Sequence, residues 1–205
     1  MSTQSRINRW TTTFRSWAVP APLLERLPES EALALGRRKI RRSQATALLF
    51  GAVLLASGLF RWSRWPLGLF IGLFYANAFE YLCHRFLLHS TKGYLSQRHQ
   101  IHHESWRRWD GALYIRFGPP LVVIVLLLAN SLPFTLWDHW GAGIGAGVLL
   151  AFVAYYVAYE EMHWRIHVGT LPRWLLGLRR NHFAHHRDLP GKYSVLLPLL
   201  DKILR

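Results

Sequence analysis

Ten histidines fall into two short stretches of the chain: His84, His89, His99, His102 and His103 in the first, His163, His167, His182, His185 and His186 in the second. In chain order they form four boxes, HxxxxH, HxxHH, HxxxH and HxxHH. Imidazole is the commonest metal-ligating side chain, and imidazoles this crowded would repel one another if protonated. A shared metal site accounts for the crowding better than solvation does. Residues four apart on a helix lie one turn apart, so His163 and His167 can reach a common centre. The last two residues of each HxxHH point about 100° apart around the helix axis, which suits two neighbouring metals. His84 and His89 diverge by about 140° on an ideal helix, so the helix is expected to end or distort between them. Ten ligands exceed what one ion takes, and two ions with about five imidazoles each is the natural count.

The elements that must carry these boxes are apolar. In 205 residues the hydrophobic fraction is 51% beside a net charge of +14, so apolar and charged residues must be segregated. Four apolar segments stand out, 45–62, 65–83, 119–137 and 141–159, each close to the roughly 20 residues that a helix needs to cross a bilayer. A soluble α domain would use shorter apolar runs. Trp62, Trp65, Trp137 and Trp140 stand at the segment ends, where an aromatic belt places them. The expected fold is all-α and integral to a membrane: four transmembrane helices in two hairpins under a cytoplasmic helical cap that carries the histidines. With four crossings, 23 of the 25 Lys and Arg residues lie on one side, which the positive-inside rule assigns to the cytoplasm. Both termini and both histidine stretches fall on that side.

Residues 1–44 read as a basic interfacial segment, and 45–205 as the histidine-box domain. Ile7, Trp10, Phe14 and Trp17 recur at helical spacing among Arg6, Arg9 and Arg15, the pattern of a short helix in the headgroup layer. The stretch 27–42 would be a second interfacial helix. No cleavable signal peptide is visible, so the first span is expected to remain as an anchor. Charge placed beside apolar spans implies contact with anionic lipid headgroups, and no nucleic-acid partner is expected. The single Cys83 fits a reduced, cytoplasm-facing setting and excludes an intrachain disulfide.

Zinc, copper, iron and nickel all suit imidazole. Structural zinc is normally satisfied by four ligands, often thiolates, and this chain has one cysteine. At a membrane edge, a pair of irons that activates dioxygen is the better match, because side chains alone cannot attack an unactivated C–H bond. Zinc could still occupy such a site in purified protein.

The runs EYLCHRFLLH, DGALYIRFGPP, YEEMHWRIHVG and RNHFAHHRD, together with the order of the four boxes, resemble the membrane fatty acid hydroxylase superfamily, nearest its fatty acid 2-hydroxylase branch, over about residues 45–201. The resemblance implies a non-haem di-iron oxygenase in which the ten boxed histidines are the metal ligands. It also implies hydroxylation of an aliphatic C–H of a lipid acyl chain with dioxygen and electrons from an external donor of the cytochrome b5, ferredoxin or reductase type. A fused cytochrome b5 domain is not expected in the 44 residues before the first span. Arg outnumbers Lys 21 to 4, which points to a bacterial inner membrane; in a eukaryote the ER membrane would be expected.

Around the boxes, Glu80 stands one turn before His84, where it could accept the second ring N–H of that histidine. Glu160, Glu161, Asp188 and Asp201 are further candidates to support the ligands. Arg85, Arg98, Arg165 and Arg180 flank ligands and could hold a lipid carboxylate or phosphate. The same scaffold could oxidise a sterol, a sphingoid base or a carotenoid, or desaturate a chain. A membrane metal transporter or buffer would place polar ligands near the bilayer midplane. These spans are almost bare there. A membrane haem protein meets the same objection.

Overall fold

The computed structural model describes residues 28–90, 93–187 and 191–204, and among them the chain is entirely helical. Its α-helices are α1 (Glu29–Ala56), α2 (Trp65–Leu82), α3 (Tyr94–Ser105), α4 (Pro120–His139), α5 (Gly145–Val168), α6 (Leu176–Arg187) and α7 (Leu199–Ile203). The basic tail with Ile7, Trp10, Phe14 and Trp17, and also Asp188, lies outside the described residues. The interfacial stretch expected at 27–42 is the first half of α1, continuous with the apolar half that follows.

Helix α5 is the centre of the bundle, with buried residues on every face along much of its length. Three helices pack around it. Helix α1 offers a stripe at helical spacing, Ala32, Gly36, Ile40, Ser43, Ala47, Gly51 and Leu54. Helix α2 lays Gly68 and Gly72 against α5 so closely that a Cβ on Gly72 would stand 2.8 Å from the Val148 Cα. Small residues give apolar helices this close approach. Helix α4 starts at Pro119–Pro120, where proline fits the first turn, and turns Leu121, Val125, Leu128, Leu132 and Leu136 outward. Further exposed apolar side chains on α1 and α2, Leu48, Leu49, Val53, Phe70 and Phe74 among them, extend the same greasy belt.

Among the described residues, two helices are long and apolar enough to cross a membrane, Trp65–Leu88 and Pro120–His139. The helices that cover the other two expected spans, 45–62 and 141–159, do not meet that measure and have other bounds. Helix α1 stops at Ala56, ahead of the expected end at 62, because Gly58 takes a positive φ of 77° and turns the chain. Helix α5 begins at Gly145, after a turn in which Gly141 and Gly143 both have positive φ.

Candidate metal centre

The site starts where α2 changes its winding. Residues Cys83–Leu88 form a π-helix, and the His89 N–H donates to the carbonyl of His84, five residues back. Wider winding closes the angle between His84 and His89, whose rings stack with centroids 5.2 Å apart and planes 20° from parallel. The distortion expected between these two histidines is therefore a π turn.

All ten boxed histidines come together, in two groups of five whose candidate ligand atoms lie within 4.8 Å of one another. Group one is His84, His89, His99, His103 and His185; group two is His102, His163, His167, His182 and His186. Each HxxHH box is split. Helix α3 sends His99 and His103 to group one and His102 to group two, while α6 sends His182 and His186 to group two and His185 to group one. Residues four apart share a face, and the third faces away by about 100°. The two groups touch, with the His103 and His186 rings stacked at 4.2 Å.

Nitrogen chemistry tests whether metals fit. In group one Nε2 atoms face each other at 2.9 Å for His84 and His99, 3.0 Å for His99 and His103, and 3.1 Å for His185 with both His89 and His103. Group two repeats this, with the Nε2 of His182 at 3.1, 2.9 and 3.0 Å from those of His163, His167 and His186. Nitrogens at right angles on an ion with metal–nitrogen bonds of about 2.1 Å would lie about 3 Å apart. Nδ1 of His84 meets the Tyr193 carbonyl, and Nδ1 of His185 lies 2.9 Å from the Gly191 carbonyl. A carbonyl can only accept, so each neutral ring carries its proton on Nδ1 and turns the Nε2 lone pair into the group. Burial pushes the imidazoles well down, His89 to about 4 and His103 to about 2, with neighbouring imidazoles adding to the shift. His99, His102 and His182 lie well below their usual value for the same reasons. Neutral, converging lone pairs are what an imidazole-bound ion requires, and the residues fit two such ions.

A family model described as fatty acid hydroxylase matches residues 69–205, from the second turn of α2 through every histidine. The chain belongs to the fatty acid hydroxylase family. A fatty acid 2-hydroxylase from Macaca fascicularis is 31% identical over 128 residues, which is 58% of this chain and 33% of the relative. The Homo sapiens fatty acid 2-hydroxylase is 29% identical over 134 residues, 59% of this chain and 35% of the relative. This fatty acid hydroxylase family chain thus spans about a third of the length of the curated relatives it matches. No solved structure matches it.

In this member of the family, Glu80 supports the histidines by a route the sequence does not reveal. Its carboxylate touches no imidazole. It accepts from the Tyr155 hydroxyl and from the backbone N–H groups of Val195 and Leu196, the last at 3.2 Å. Asp201 accepts from the N–H groups of Tyr193 and Ser194 at 2.8 and 3.0 Å. Asn77 donates to the Leu197 carbonyl at 2.8 Å. The returning strap 191–197 is thereby pinned from both sides, and its carbonyls fix the tautomers of His84 and His185. The missed residues here, Gly191 and Tyr193, act through main-chain atoms that have no side-chain signature.

The remaining candidates separate. Glu160 is fully buried and accepts from Ser43, Tyr156 and the Phe117 N–H at 3.0, 2.8 and 3.2 Å, joining α1, α5 and the segment before α4. Glu161 pairs with Arg37 at 2.6 Å and Arg165 at 2.7 Å, so Arg165 is engaged structurally. Arg85 donates to the Tyr81 hydroxyl and lines a wide cleft of about 840 Å³ with Lys192 and Lys202. Arg180 is exposed on α6. Arg98 alone of the four lines a cleft that reaches boxed histidines. Cys83 is buried and outside both groups, and His139 is exposed at the far end of α4.

Proposed function

We propose that the chain is a membrane lipid hydroxylase whose ten boxed histidines hold two iron ions and which oxidises an aliphatic C–H of an acyl chain. The observation that carries this reading is the pair of five-imidazole groups next to an apolar cavity. That cavity is lined by Ala76, Phe79, Leu126, Phe152 and Tyr155 and reaches His84. Iron bound there would supply the activation of dioxygen that side chains cannot provide. The residues of the chain do the rest. Burial keeps the imidazoles neutral, the strap 191–197 holds two of them in one tautomer, and the apolar walls orient an alkyl chain and exclude water. Membership of the family and the two relatives named as fatty acid 2-hydroxylases favour a fatty acyl chain over a sterol, sphingoid base or carotenoid. Bare spans disfavour a metal transporter or buffer.

In this reading α1, α2, α4 and α5 are four crossings, and the histidines and both termini face the cytoplasm. Electrons come from a separate donor of the cytochrome b5, ferredoxin or reductase type. Lipidomics on cells with and without the gene is expected to show one lipid class heavier by one oxygen. An unchanged lipid profile, with folded protein carrying two irons per chain, would rule the reaction out. Reporter fusions at Met1 and at Arg205 should agree with each other and disagree with one in the turn 138–141.

A further inference from the structure

Arg98 on α3 and Arg116, just before α4, line one narrow cleft beside the histidines, and Lys39 on α1 reaches toward the same segment, its ammonium 3.5 Å from the Leu113 carbonyl. Each is half-buried, and none has an ion-pair partner among the described residues. Lys39 makes one long contact, 3.5 Å to the Leu113 carbonyl, and Arg98 lies 4.8 Å over the Tyr114 ring. Burial and the two guanidiniums push Lys39 down to about 8. Glu160 attracts Arg116, but that carboxylate is already engaged by three donors within the fold. Half-buried like charges repel one another in a reduced dielectric, so this cluster lacks a counter-anion.

The position of the cluster says what the counter-anion belongs to. The narrow cleft is lined by Arg98, Tyr114 and Arg116 together with His99, His102 and His163, which come from both groups. The cleft shares Leu88, Phe117 and Tyr159 with the apolar cavity that reaches His84. An apolar compartment and a basic one thus meet at a common wall beside the imidazoles. We propose that the basic cleft binds the oxyanion head group, carboxylate or phosphate, of an amphiphilic substrate whose alkyl chain enters the apolar cavity. This rests on the hydroxylase reading and adds the head-group class to it. Free space in the two compartments is only about 40 and 10 Å³, so Leu88, Phe117 and Tyr159 must shift when such a ligand is seated.

The test uses the full chain in neutral detergent, with its iron content and oxygenated product measured separately from binding. The probes are hexadecanoate, a lysophosphatidate with the same chain, and hexadecanol as the neutral control. At least one anionic lipid is expected to bind on the order of 10-fold more tightly than the alcohol. That preference should be lost in Lys39→Gln and Arg116→Gln, retained in Lys39→Arg, and unchanged in Lys202→Gln, which lies in the wide cleft instead. Either anion meeting this criterion supports the site, and the tighter of the two identifies its source. Equal binding of the alcohol and both anions overturns the inference, as does a preference that survives in both glutamine variants or is lost in Lys202→Gln. If Arg116→Gln does not fold, Arg98→Gln, which lines the same cleft, decides. A chain that holds two irons and makes product while failing these binding tests loses the head-group site and keeps the hydroxylase reading.

Discussion

The two histidine groups draw on the same kinds of box, yet they are held differently. Group two stands on regular helices: His163 and His167 on α5, His182 and His186 on α6, and His102 on α3. Its i, i+4 pairs need nothing but α-helical geometry to converge. Group one takes His84 from a π turn and His89 from just beyond it, and two of its rings are oriented by strap carbonyls. In group two the buried Nδ1 atoms of His102, His182 and His186 have no hydrogen-bond partner among the described residues. Group two thus stands wholly on regular helices, while group one adds a π turn and strap carbonyls to its helical ligands, so the two should fail in different ways.

The largest effects should come from the ligands themselves. His103→Ala and His102→Ala alter neighbouring residues of one helix that belong to different groups. Each is expected to lower turnover by at least about 100-fold, above the range for partners that only orient a ligand. Metal analysis should show each variant losing one ion, from its own group. Combining them should add little further loss of turnover, because the ligands act as a unit. Both ions remaining in both variants would break the division into two groups.

Next in size are changes to the strap. Asp201→Ala removes the carboxylate that holds residues 193–194, and Glu80→Gln replaces one of the two carboxylate oxygens that hold Tyr155 and residues 195–196 by a donor; neither side chain hydrogen-bonds an imidazole. Metal affinity is expected to fall by about 10- to 100-fold in group one and to hold in group two. Chelator-release kinetics, with its two phases resolved, measures this directly. Equal weakening of both phases would mean that the strap supports the whole cap rather than one group.

Acid should separate the groups less sharply. The imidazoles have folded-state values below their unfolded ones, so between those values the unfolded chain binds more protons. The neutral cluster's contribution is present above about pH 6.5 and is lost as pH falls toward the lowered values. His89 in group one is lowered to about 4 by burial and its imidazole neighbour, while His102 and His182 in group two lie well below their usual value. Metal-free protein should therefore lose thermal stability as pH drops from 6.5 to 4. In loaded protein the first ion released is expected to come from group one. Release in the opposite order, followed by metal analysis of His102→Ala and His103→Ala at each pH, would contradict the comparison.

Much of this was legible in the sequence, for a physical reason. Ligand spacing on a helix is local, so the split of each HxxHH and the distortion between His84 and His89 follow from residues per turn. The all-helical fold follows from long apolar runs in the same way. Helix ends were less legible, since α1 and α5 are trimmed by glycine conformations at 58, 141 and 143 that hydropathy does not register. Glu80 was expected to accept from the His84 ring, whereas its partners are the Tyr155 hydroxyl and two backbone N–H groups of the strap. The cluster of Lys39, Arg98 and Arg116 was seen only in part, through Arg98. Its other members are distant in the chain, and nothing local marks basic residues that will share a cleft.

The smallest expected effect is at His139, and its neighbour makes it informative. Asp138 and His139 end α4 together. Asp138 is buried and accepts from the N–H groups of Arg61, Ile144 and Gly145 at 2.8, 2.9 and 3.0 Å, which ties two turns to one helix end. Asp138→Ala leaves those donors unpaired and should cost about 1–3 kcal/mol, read as a lower Tm. His139 is exposed and stands a helix length of roughly 30 Å from the boxes, so it cannot reach either group. His139→Ala should change stability by no more than about 0.5 kcal/mol and should keep both ions and full turnover. Loss of an ion in this variant, with the fold intact, would mean that a histidine outside both groups takes part in metal binding. The contrast between a helix-built group and a strap-built group would then have to be redrawn.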